Sequence, residues 1–317
     1  MLAREADYLG KLDAVSKRYF GRHDTFADVF NYLLFDGEQI IKASDLRELD
    51  SNQIAVLFKN KDLQDIQKQR DLFRLWTAMT DGHAIFILLG AEIQGSVHYA
   101  MPIKTGLYDF ITYDDQLNKI ASRNRQSHEA KVIELHGGEY LYGFRKEDRV
   151  KLVITATIYV GKEPWDGPLK LSDIIEEESR KYLINDYKLS LLSATDLPEP
   201  NFEKFATELG DVMRFVKHQG KDVDQLIEQT NHKIYSPEAA AFVKEAANMD
   251  LDFEVKNGGV DMCEALERRY DKERQTTKDQ MILNMVRRNY PIEDIAEVAD
   301  VTVEYVVKIK NSELKIV

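Results

Sequence analysis

The sequence predicts an α/β domain followed by a smaller all-helical one, on three observations. Helical periodicity fills residues 1–35. Short apolar or β-branched runs at Gln53–Phe58, Asp71–Trp76, Ala84–Leu89 and Val150–Val160 read as strands, with one helix before the last of them. From about Asp173 onward the chain is charged and helical in pattern, without a further convincing strand. A hinge at Asp196-Leu-Pro-Glu-Pro200 divides the chain into expected domains of 1–190 and 196–317.

The elements follow in order. Tyr19, Phe20, Phe26, Val29, Phe30, Leu33 and Leu34 recur at three- and four-residue spacing, and Asp36-Gly37 reads as the helix stop. Asp28 and Asn31 lie one turn apart on that helix, a polar pair expected to be solvated. Asp71 opens the strand of Leu72, Phe73, Arg74, Leu75 and Trp76. A turn at Thr80-Asp81-Gly82 returns the chain through Ala84–Leu89 as an antiparallel partner. Pro102 starts a helix to about Asn124, with Ile103, Leu107, Phe110, Ile111, Leu117 and Ile120 as its expected buried side. His136-Gly137-Gly138 reads as a loop, Val150–Val160 as a buried strand and GKEPWDGP as a loop whose Trp165 covers the core edge. Phe202, Phe205, Leu209, Val212, Phe215 and Val216 predict one amphipathic helix, and Pro237–Met249 another. Two or three short helices end the chain, with a turn near Asp300. Ala296, Val301 and Val306 suit either a helix-turn-helix or a small packing bundle.

Composition narrows the classes. The chain has 317 residues, 44% hydrophobic and 31% charged, enough for a sizeable core and typical of a soluble protein. No run approaches a membrane span, and the N-terminal residues lack a signal-peptide layout, so a cytoplasmic location is expected. The single Cys263 excludes an internal disulfide and a Cys-based zinc site, and the seven histidines form no paired ligand motif. A net charge of −12 argues against nonspecific coating of nucleic acid, while leaving room for a local basic groove. Lys59, Lys61, Lys68, Arg70 and Arg74 gather before the central strand, and Lys119, Arg123 and Arg125 after the next helix. No Walker loop, dinucleotide fingerprint or Gly-x-Ser-x-Gly elbow is present. Tyr99, Tyr108 and Tyr113 read as packing residues rather than recombinase nucleophiles.

The stretch AIFILLGAEIQGSVHY carries the chemistry. Glu92 and Gln94 follow an apolar run and share one strand face. Read blandly, Glu92 is the solvated end of a strand. Read as a site, it is one of two carboxylates that hold a hard divalent cation, and the hairpin brings Asp71 beside it.

The segments FADVFNYLLFDG, QRDLFRLW, LLGAEIQG with HYAMPIKTGLYD, and VITATIYVGKEPWDGP together resemble the Rpn (YhgA-like) family of recombination-promoting nucleases and transposase-like proteins, over roughly residues 15 to 175. This family belongs to the PD-(D/E)xK nuclease superfamily. The resemblance implies a restriction-endonuclease-like core, a mixed sheet flanked by helices, and a Mg2+-dependent DNA endonuclease in which Mn2+ can substitute and no small-molecule cofactor is needed. Asp71 and Glu92 match the metal-holding positions, Gln94 stands where the superfamily usually has Lys, and Asp28 matches an acidic position of the N-terminal helix. Lys104, early in the following helix, is the expected replacement cation. DNA is the implied partner. A homodimer is expected, since cutting both strands at once needs two active sites, with the C-terminal helices as its expected mediator. The competing expectations are a non-catalytic interaction protein that keeps the fold and a regulator that binds DNA through residues 270–317.

Overall fold

The fold is that of a computed structural model, described for residues 2–49, 71–80, 83–183, 185–219 and 222–313. The chain divides into two compact units, Met1–Val223 with Glu238–Met249, and Asp224–Pro237 with Asp250–Val317. The division therefore falls later than the hinge expected at Asp196–Pro200.

The first unit is α/β. Its five-stranded mixed sheet runs β1 (Leu46–Glu48), β2 (Leu72–Thr80), β3 (His83–Gln94), β4 (Val153–Tyr159) and β5 (Ser190–Ser193), in that spatial order. β1, β2 and β3 are antiparallel, whereas β3, β4 and β5 are parallel. β5 corrects the expectation of no strand after Leu171. Its four residues, SLLS, are too short to signal a strand alone, and their place is set by pairing with β4, Ser190 against Ala156. The short β1 was likewise illegible, and the strand expected at Gln53–Phe58 lies outside the described residues, as do Lys59, Lys61, Lys68, Arg70, Asp81 and Gly82.

The helical pattern over 1–35 resolves into α1 (Leu2–Phe20) and α2 (His23–Phe35). Arg22 leaves the helix in an extended conformation, and the Gly21 carbonyl accepts a hydrogen bond from Arg74 Nη2 at 2.8 Å. Arg74 thus belongs to the core. Its side chain is 4% exposed, paired with Glu48 at 3.1 Å, and unavailable to a nucleic-acid groove. α2 ends where expected, at Asp36 (φ 53°) and Gly37 (φ 95°), a left-handed pair that suits the aspartate and glycine found there.

The helix α3 (Met101–Glu129) carries Pro102 in its first turn and reverses the expected amphipathicity. Ile103, Leu107, Phe110 and Leu117 are 42–65% exposed, while Thr105, Asp109, Thr112, Asp115, Gln116 and Asn124 are buried beside Tyr108 and Ile111. The buried polar groups have partners from neighbouring elements. Asp109 accepts from the Thr155 hydroxyl at 2.5 Å and the Tyr187 hydroxyl at 2.6 Å, and Gln116 both donates to and accepts from the Lys151 backbone. Such bonding removes most of the cost of burying them. Lys119, Arg123 and Arg125 lie within this helix rather than after it, and Lys119 pairs with Asp115 at 3.4 Å.

After α3, the loop expected at His136-Gly137-Gly138 is the start of a short helix, α4 (Gly137–Tyr142). β4 is buried as expected, and Trp165 packs edge-on to Tyr159 with ring centroids 5.2 Å apart. Beyond the short α5 (Glu177–Arg180), the single helix expected over Phe202–Val216 is a 3-10 turn at Glu199–Lys204 and then α6 (Leu209–Lys217), interrupted by extended Phe205. The apolar residues of both pieces are buried nonetheless. After α7 (Val223–Gln229) at the boundary, α8 (Pro237–Ala246) rejoins this unit, and its Phe242 stacks on Tyr19 at 5.3 Å.

The second unit corrects the all-helical expectation with a two-stranded ribbon, β6 (Ile234–Tyr235) and β7 (Val260–Asp261). Asp261 caps the long α9 (Met262–Arg287), accepting from the backbone N–H groups of Cys263 and Glu264. α10 (Ile292–Val298) and α11 (Val303–Glu313) fold back around Ile282, Ile295, Ala296, Ala299 and Val306, with Val301 packed against them. Asp300, at φ 51°, makes the expected turn. No described helix is long and apolar enough to cross a membrane.

Candidate metal centre on the central sheet

β3 is the strand where the sheet changes from antiparallel to parallel, and the candidate site lies at its C-terminal end. The β2–β3 register pairs Leu72 with Ala91, so one step further sets Asp71 across from Glu92. The Asp71 side chain caps the ladder there, its Oδ2 accepting from the Ile93 N–H at 2.8 Å. A backbone bond of this kind holds the carboxylate in one orientation beside Glu92.

Glu92 is 1% exposed. Its Oε2 accepts from Lys104 Nζ at 2.8 Å, and Lys104 also lies over the Tyr108 ring at 5.8 Å. The lysine reaches the strand because α3 starts only a few residues after β3 and rises over the same sheet end. Burial pulls the Lys104 ammonium toward neutrality, yet its hydrogen bond to Glu92 and the charge of Glu92, helped by Tyr108 and Asp71, raise its pKa above the ordinary lysine range. Lys104 is therefore cationic at neutral pH.

The second cation is one that the sequence reading missed. Lys17 Nζ lies 3.0 Å from Asp71 Oδ1 and 2.8 Å from Asp13, and despite partial burial these two carboxylates raise its pKa. Its spacing to Asp13 is a legible i,i+4 pair, but nothing in the chain signals contact with a residue 54 positions later.

Gln94 ends β3 on the same face as Glu92 by strand alternation, and is partly exposed. Its carbonyl accepts from Val160 N–H at 2.9 Å, tying the end of β3 to the segment after β4. Asp28 has a different role from the one expected. It is 1% exposed and accepts from Gln39, from the N–H groups of Ala206 and Thr207, and from the Thr207 hydroxyl at 2.6 Å. These bonds interrupt the expected Phe202–Val216 helix and hold that segment on α2. Asn31, its neighbour one turn on, is also buried and brackets the Ile41 backbone. The pair is structural, and the expectation of a solvated polar pair fails.

No family model, curated protein or solved structure matches this chain. What the centre can do rests on its residues. Two carboxylates on paired strands, one of them fully buried, offer hard oxygen donors of the kind Mg2+ takes, with water and a phosphate to complete the shell. Each of these carboxylates is paired with an ammonium, Asp71 with Lys17 and Glu92 with Lys104. A separate group in the second unit, His232, Asp261 and Cys263, brings three ligand atoms within 4.8 Å of one another.

Proposed function

We propose that the chain is a Mg2+-dependent DNA endonuclease with a PD-(D/E)xK type of centre at Asp71 and Glu92, serving recombination, mobile elements or defence. The observation that carries this reading is the convergence of Asp71, Glu92 and Lys104 at the end of the β2–β3 hairpin. The five-stranded mixed sheet flanked by helices is compatible with it, although the first strand expected, Gln53–Phe58, lies outside the described residues.

Asp71 and Glu92 would hold the cation, for which Mn2+ can substitute, and with it bound the site would have the Lewis acidity needed to activate a water and to neutralise charge on the scissile phosphate. Lys104, kept protonated by Glu92, steadies the charge that grows on the phosphate oxygens as the bond breaks. Gln94 carries no charge and orients water through its amide. A homodimer presents two such centres, one for each DNA strand.

The test is plasmid and linear DNA cleavage with Mg2+ or Mn2+. Cleavage by the parent chain that disappears in Asp71→Ala and Glu92→Gln supports the reading, and intact DNA across salt and buffers overturns it. Sedimentation of the full chain and of a form lacking the C-terminal helices tests the dimer. A second reading, a non-catalytic interaction protein on the same fold, is favoured by the two ammonium groups that already neutralise the carboxylates, at 2.8 Å and 3.0 Å. That reading expects no Mg2+ binding dependent on Glu92, which titration calorimetry measures.

A further inference from the structure

We propose that the second unit carries a Zn2+ site formed by His232, Asp261 and Cys263. These residues come from the turn after α7, from β7 and from the first turn of α9, and their ligand atoms all lie within 4.8 Å of one another. Ligands at about 2.0 to 2.3 Å around a tetrahedral zinc stand roughly 3.3 to 3.7 Å apart, so closure needs only small side-chain movements. His232 Nδ1 and Asp261 Oδ2 are 2.7 Å apart, and the imidazole is exposed enough to swing outward by the necessary few tenths of an ångström.

The surrounding bonds orient the three donors. Asp261 Oδ1 accepts from the N–H groups of Cys263 and Glu264, which leaves Oδ2 as the outward ligand atom. Cys263 Sγ accepts from the His232 N–H at 3.4 Å and donates to the Ile227 carbonyl at 3.2 Å, bonds that hold the sulfur beside the histidine. Support of this kind is what metal ligands receive from their surroundings. His232 and its neighbour Asn231 both have positive φ, 60° and 52°. This left-handed turn is set by the β6–β7 ribbon, in which Ile234 pairs with Asp261.

The donors select the ion. One sulfur, one imidazole nitrogen and one carboxylate oxygen suit borderline-soft Zn2+ and disfavour Mg2+ or Ca2+. His232 and Cys263 line a cleft of about 260 Å³ that Glu228 and Glu267 also line, so the fourth position belongs to water or to one of these glutamates. The site is independent of the centre on the sheet, which offers no sulfur.

The test uses Co2+ as the spectroscopic probe on the full, reduced and chelator-dialysed chain. One equivalent should produce a near-ultraviolet thiolate-to-cobalt absorption with tetrahedral visible bands, abolished by added Zn2+. Cys263→Ser should lose the thiolate band. His232→Ala and Asp261→Asn should bind at least about tenfold more weakly, although Asn keeps the helix cap. Absence of a thiolate band in the parent chain, or a band unchanged in Cys263→Ser or His232→Ala, overturns the proposal. Co2+ bound at Asp71 and Glu92 gives no thiolate band, so the two sites are told apart. Circular dichroism of each variant separates lost binding from lost folding. A variant that unfolds is replaced by Zn2+-induced thermal stabilisation of the parent chain, whose absence also overturns the site.

Discussion

Replacing Lys104 by Met keeps most of the apolar stem and removes the ammonium that lies 2.8 Å from Glu92 Oε2. Glu92 is 1% exposed, and Lys104 is 29% exposed at its side chain. Removing one partner of a fully buried pair costs about 3 to 5 kcal/mol, and the partial exposure of Lys104 brings the expectation down to about 2 to 3 kcal/mol. Glu92→Gln removes the buried charge but keeps its shape, so alone it should cost about 1 to 2 kcal/mol. In the double variant the neutral glutamine no longer needs the ammonium, which gives a coupling on the order of 1.5 kcal/mol. Urea unfolding of the four proteins at neutral pH, with chelator present, measures this cycle. Metal binding adds an independent reading. The ammonium and a divalent cation compete for Glu92, so Lys104→Met should bind Mg2+ more tightly in calorimetry while cleaving DNA more slowly below its unfolding transition. A coupling under about 0.5 kcal/mol would mean that the pair is no more than a surface contact. Mg2+ affinity that stays unchanged or falls would refute the shared site.

Three further outcomes test the rest of the fold. Asp28→Ala should destabilise the chain by about 1 to 3 kcal/mol in urea, because it strands the partly buried N–H groups of Ala206 and Thr207. Mg2+ affinity should be unchanged, and a stable variant that has lost Mg2+ binding would return Asp28 to the metal centre. On α3, Leu107→Ser should change stability by less than about 0.5 kcal/mol, whereas Ile111→Ala should cost about 2 to 4 kcal/mol. The opposite ranking would restore the apolar face expected from the sequence. Burial, then a hydrogen bond to Asp224 and that residue's charge, push the Tyr270 phenol up to about 12. Because the folded value is raised, the stabilisation is complete below pH about 10 and is lost as pH rises toward about 12. Asp224→Asn should move one phenolate transition in an ultraviolet titration toward the ordinary range and weaken alkaline stability.

The sequence by itself determined the features set by local physics. Strand alternation and the short turn put Asp71 and Glu92 together, because an antiparallel hairpin fixes which residues face each other. The proline in the first turn of α3, the left-handed stop at Asp36-Gly37 and the turn at Asp300 were equally legible from single residues and their neighbours. The reach of Lys104 to Glu92 followed from their closeness in the chain. Tertiary structure alone decided whatever depends on partners far away. The periodicity of α3 was readable, but which side faces inward was set by Thr155, Tyr187 and the Lys151 backbone, whose bonds make burial of polar groups tolerable. Asp28 looked like a site residue until its bonds to a segment 178 positions later gave it a structural role. Strand β5 exists because β4 offers it an edge, and Lys17 reaches Asp71 across 54 residues. His232 lies about 30 residues from Asp261 and Cys263, a spacing without periodicity, and only the small β6–β7 ribbon brings it to them. Local backbone preference is carried in each short stretch of chain, whereas the worth of a buried polar or charged side chain depends on the groups that folding brings to it.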